Sequence, residues 1–154
     1  MSEETFGGAS LLKRKRLVII SILSSCTLYI IFSIWIAHDV RTILKTGMQN
    51  NENYSEIMSS KVYQRLNPIH NHSSSVKYTY KPESHTIGVP IPLHFFGIAK
   101  VWVIHQYSPG DFGFVEPVAM RLILKNGKWY AANVHVHHLI SDRTDHPGSP
   151  FHRK

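Results

Sequence analysis

Cysteine is almost absent from this 154-residue chain, Cys26 being its one copy. Nothing beyond position 26 can form a disulfide with another residue there or lend a thiolate to a metal, so whatever folds there rests on packing. Carboxylates are scarce too, 10 Asp and Glu against 17 Lys and Arg, for a formal net charge of +7. Motifs that carry chemistry are missing: no HExxH pair, no nucleophile-elbow serine, no cysteine near a histidine. The 9 glycines make neither a phosphate loop nor a dinucleotide fingerprint. The expectation is a protein without catalytic residues or a resident cofactor; the alternatives are a small-ligand or metal-binding module and a metal-dependent hydrolase, with a divalent metal such as zinc. What the chain does have, 43% hydrophobic and 18% charged residues, excludes a disordered polymer and allows one small core.

Its longest charge-free stretch is residues 17–37, LVIISILSSCTLYIIFSIWIA. As a helix rising about 1.5 Å per residue it reaches about 31 Å, the depth of a bilayer's hydrocarbon core. Its serines and Thr27 can return their hydroxyls to the helix backbone, and it lacks the polar stripe of a globular helix. Lys13, Arg14, Lys15 and Arg16 abut one side, whereas only Arg41 and Lys45 lie close beyond the other. Because the basic excess stays cytoplasmic, the tail 1–16 is expected inside and residues 38–154 in a periplasm or outside the cell. Topology and anionic lipid account for the basic cluster, so no nucleic-acid partner is expected. Leu23-Ser24-Ser25-Cys26 resembles the lipobox of bacterial lipoprotein signals, yet the apolar run continues past Cys26, which favours a retained single-pass signal-anchor.

Beyond the span, residues 38–51 read as a stalk with a short apolar side of Ile43, Leu44 and Met48. An α+β domain is expected over 52–140, followed by a flexible tail over 141–154. Asn53 with Glu56 can cap a helix whose face is Tyr54, Met58, Val62 and Leu66, with Pro68 ending it. Residues 69–75 read as a polar loop and 76–80 as a short strand. Three prolines over 81–92 argue against a long element there. Residues 99–107 alternate, Trp102 and Ile104 on one face and Val101, Val103, His105 and Tyr107 on the other. A hairpin, 114–125 and 128–140 about Asn126-Gly127, follows from the type I′ preference of that pair. Its register sets Leu124 against Trp129, Leu122 against Ala131, Met120 against Asn133, Val118 against His135 and Glu116 against His137. Both sheet faces are largely apolar, so one or two helices are expected on one and a further layer, loop or subunit on the other, the last implying a homo-oligomer or membrane-complex subunits.

This order of helix, broken middle and long terminal strands, with Lys125-Asn126-Gly127-Lys128-Trp129 leading into Asn133-Val134, resembles the NTF2-like and cystatin-like folds over residues 52–140. The resemblance implies a curved antiparallel sheet packed against one or two helices. It also implies a scaffold role of the kind held by single-pass inner-membrane subunits of bacterial secretion and conjugation machines, with no catalytic residues to carry over.

The chemical candidate is His135, His137 and Glu116, which the expected register places on one face, with His105 as a fourth ligand if its strand pairs with 114–125. Trp102, Trp129, Tyr107, Phe95, Phe96, Phe112 and Phe114 read as core side chains, or as the lining of a small-ligand pocket.

Overall fold

The computed structural model describes residues 6–50, 52–71, 79–109 and 113–137. The tail over 141–154, with residues 72–75 of the expected loop and 76–78 of the expected strand, lies outside them; residues 69–71, expected as loop, are helical, and 79–80 are not in a strand. The first element, α1 (Phe6–Met48), is one unbroken helix of 43 residues. Its most apolar stretch is 0% buried inside the protein, with Leu17, Ile22, Ile30 and Ile34 turned outward. A core helix would be covered; this one is long and apolar enough to cross a membrane. Thr27 and Ser33 donate their hydroxyls to the carbonyls of Leu23 and Tyr29 at 2.9 and 2.8 Å, so they leave no free donor on the apolar surface.

The helix continues past the apolar run into the domain. Ile36, Val40, Ile43, Leu44 and Met48 recur at three- and four-residue spacings and are all buried. Where a stalk was expected over 38–51, this last part of α1 is a wall of the core, because its apolar side meets a sheet. Gly47 allows the close approach of the next helix: a Cβ there would lie 2.8 Å from Leu66 Cβ.

A 3-10 turn (Glu52–Glu56) precedes α2 (Ser60–Leu66) and α3 (Pro68–Asn71). The single helix expected from Asn53 to Leu66 is therefore interrupted, and hydrogen bonds explain the break. Ala131 N–H donates to Ile57 O at 2.8 Å and Ser59 N–H to Ala131 O at 3.1 Å, so residues 57–59 pair with the sheet as a strand would. Ser59 then caps α2, its Oγ accepting from Val62 N–H at 3.3 Å.

Five antiparallel strands follow: β1 (His85–Ile87), β2 (Ile91–Phe95), β3 (Ile98–Tyr107), β4 (Phe114–Lys125) and β5 (Lys128–Val136). Their order is β1-β3-β4-β5, with β2 also paired to β3. Pro82, Pro90 and Pro92 keep the segment before β3 in short pieces. The alternation of β3 is as read, Val101, Val103, His105 and Tyr107 being buried and Trp102 and Ile104 exposed. Both two-residue turns, Phe96-Gly97 and Asn126-Gly127, have positive φ throughout, as type I′ geometry requires.

The β4–β5 register follows expectation only from Lys125↔Lys128 to Leu122↔Ala131. A bulge then inserts Ala132, so that Arg121 faces Asn133, Met120 faces Val134, Ala119 faces His135 and Val118 faces Val136. The bulge turns Val134 into the core and moves Asn133 and His135 to the opposite face; without it those polar groups would be buried and the valine wet.

The result is a small α+β domain of two layers, with α2 and the end of α1 over one face of the sheet. Trp129, Met120, Leu122, Val101 and Ala131 fill the space between. Among the described residues no element covers the other face.

Candidate functional site

The four residues considered as metal ligands divide into two pairs. Antiparallel pairing of β3 with β4 sets His105 against Glu116 on the buried face, with His105 Nε2 3.6 Å from Glu116 Oε2. The bulge sends His135 to the open face opposite Ala119, where its ring stands 5.3 Å from that of His137. Among the described residues no three His, Cys, Asp or Glu side chains come together as a metal site.

His105 gains a different neighbour, from β1. Tyr80 OH donates to His85 Nδ1 at 2.9 Å, and His85 Nε2 lies 3.2 Å from His105 Nδ1. The two imidazoles share one proton across that contact, and His105 Nε2 faces Glu116 beyond hydrogen-bond distance. The four groups line up from Tyr80 through His85 and His105 to Glu116. Burial, then the facing His105, then Lys45 of α1, push the His85 pKa down from 6.5 to about 4. Burial, followed by Tyr107 and Glu83, raises that of Tyr80. This network pins β1 to β3 and β4. His85 and Tyr80 escape sequence reasoning because proline-rich flanks hide β1; the remaining signal is a histidine beside a Thr-Ile pair.

The open sheet face is the larger feature. Trp102 and Ile104 of β3 and Val115 of β4 stand exposed on it, with half-buried Pro117 and Ala119 as its floor. Trp102 forms a ridge between two hollows, one of about 520 Å³ reaching His135 and His137, the other of about 280 Å³ reaching Ile91. Charge on this face has one sign. Lys100 Nζ sits 5.0 Å over the Trp102 ring and Lys125 Nζ 5.2 Å over Tyr130, with Arg121 exposed between them. No strand carries a carboxylate on that face among the described residues, Glu116 being turned inward.

The sheet margins offer less. Residues 57–59 and Arg65, whose Nη1 donates to Val134 O at 2.7 Å, occupy the outer side of β5. α1 lies along β2, where Tyr29 OH donates to Pro92 O at 3.4 Å. A partner adding a strand to either margin would meet these groups first. Of the aromatic residues read as core, Trp129 and Tyr107 are buried, whereas Trp102, Phe95 and Phe96 are exposed. No family model, no curated protein and no solved structure matches the chain.

Proposed function

We propose that the chain is a membrane-anchored scaffold subunit that works through protein contact at its open sheet face. α1 spans the bilayer with the tail 1–16 in the cytoplasm, and the α+β domain stands on the periplasmic or outer side. The observation that carries this reading is the apolar face of Trp102, Ile104 and Val115, uncovered and, among the described residues, bordered by basic and not acidic side chains. Contiguous apolar surface on a folded domain marks a contact site. A second copy laid face to face would set Lys100 and Arg121 against their own kind, so a different subunit with an apolar patch and an acidic border fits better. A secretion or conjugation machine is the assembly that the NTF2-like and cystatin-like resemblance suggests for such a subunit.

The test is the full chain extracted in mild detergent from its own membrane. Wild type is expected to travel with a second protein at fixed stoichiometry, and Ile104→Glu to lose it while melting at the same temperature, since Ile104 is 56% exposed. A wild-type monomer would overturn the scaffold reading, and a complex of this chain alone would replace the acidic partner by self-association.

A further inference from the structure

The hairpin joining β2 to β3 ends on two phenylalanines with no place in the core. Phe95 is 74% and Phe96 90% exposed, their rings edge to face at 4.4 Å. Phe96 also holds φ at +40°, a left-handed backbone that glycine or asparagine adopts at lower cost. Nothing within the domain accounts for two aromatic rings at this turn.

Their level along α1 does. His94, next to them in β2, stacks on Tyr29 at 4.2 Å, and its Nε2 lies 3.2 Å from Ser33 Oγ. A hollow of about 750 Å³ joins Phe95 and Phe96 to Ser25 and Leu28. At about 1.5 Å per residue, Ser25 is about 12 Å and Tyr29 about 18 Å from Leu17 along the helix, against a hydrocarbon core of about 30 Å. A bilayer that holds residues 17–37 holds the turn as well. We infer that the tip of this hairpin, Leu93, Phe95 and Phe96, is immersed in the hydrocarbon near the middle of the bilayer beside α1. The inference rests on the proposal that α1 spans the membrane.

The outward backbone at Pro92 and the placement of Lys100 suit immersion. In a two-residue hairpin the closing pair, Phe95 and Ile98, is hydrogen-bonded, so Pro92 and His94 turn their backbone groups outward. Pro92 has no N–H and its carbonyl accepts from Tyr29 OH, while Gly97 O accepts from Leu124 N–H at 2.7 Å. Lys100 leans its ammonium over Trp102, away from the tip. Trp102 lies four residues beyond Ile98, at most about 14 Å along the strand, near the level where tryptophans settle and lysines snorkel. Across the sheet, the Trp129 ring stands 6.0 Å from that of Trp35 and the Trp129 backbone N–H donates to Asp39 Oδ2 at 3.1 Å. The sheet thus crosses α1 obliquely, bringing the turn that bears Lys125 and Lys128 towards the end of the apolar run and the anionic headgroups.

The experiment uses the full chain with Cys26→Ser and a single new cysteine, by Phe95→Cys, Leu23→Cys or Lys61→Cys. Each carries an environment-sensitive fluorophore in mixed phosphatidylcholine–phosphatidylglycerol vesicles. Labels at 95 and 23 are expected to lose most of their emission to brominated acyl chains and to resist aqueous iodide, and the label at 61 to do the reverse. Phe96→Cys repeats the measurement at a second exposed side chain. Iodide quenching at 95 and 96 with bromine quenching at 23 would overturn the immersed tip and leave the span standing. A label at 23 outside the lipid would remove both.

Discussion

At the scale of single residues, the most consequential group is His85. Its pKa is depressed in the folded chain, so the unfolded chain binds the proton more readily, and stability is lost as pH falls from 6.5 towards about 4. Above 6.5 the imidazole is neutral in both states and contributes no slope. Protonating His85 leaves a hydrogen on both of its ring nitrogens, so Nδ1 can no longer accept across the 2.9 Å contact with the Tyr80 hydroxyl. Melting temperature is therefore expected to fall through this window more steeply for wild type than for His85→Gln, as calorimetry would show; equal slopes would remove His85 as the cause. The opposition of His105 and Glu116 was open to reading once β3 was paired with β4. His85 was not, because β1 has three residues and no periodicity to show.

Among elements, α1 and α2 meet at a close approach. Gly47 has helical neighbours and would ordinarily gain stability as alanine, but a Cβ there meets Leu66 at 2.8 Å. Gly47→Val is expected to cost about 1–3 kcal/mol by overpacking, read as a lower denaturant midpoint with unchanged slope. The long alternating strands were legible because each shows one face to the core, and the Asn126-Gly127 turn because its backbone demands those residues. The bulge left a weaker trace: apolar residues fall on odd positions at Trp129 and Ala131 and on even ones at Val134 and Val136. An alternation that changes phase in mid-strand announces an inserted residue, and extending one register through it joined His135 and His137 to the wrong face. The β2–β3 hairpin was hidden by Pro90 and Pro92, so Phe95 and Phe96 read as core. Pro92 is tolerated because its nitrogen points away from β3, the condition under which proline enters an edge strand.

For the molecule as a whole, the uneven distribution of Lys and Arg about residues 17–37 predicts sidedness. A protease added to intact cells, with the outer membrane made permeable if there is one, is expected to digest a C-terminal epitope and spare an N-terminal one. The opposite pattern would reverse the compartment and the partners with it. That the second sheet face calls for a cover is legible in the sequence, since both faces of the hairpin are apolar; that its charged groups among the described residues are all basic emerges only once the bulge and the inward turn of Glu116 are known.

Anchors joined to their domains by a loose tether leave the domain free to swivel. Here the helix that leaves the apolar run at Ala37 is the same rod that buries Val40, Leu44 and Met48, with Trp129 hooked to Asp39. A twist or a piston displacement of that rod would carry the sheet with it. The heading of the open face is tied in the same way to the rotation of α1 about its own axis.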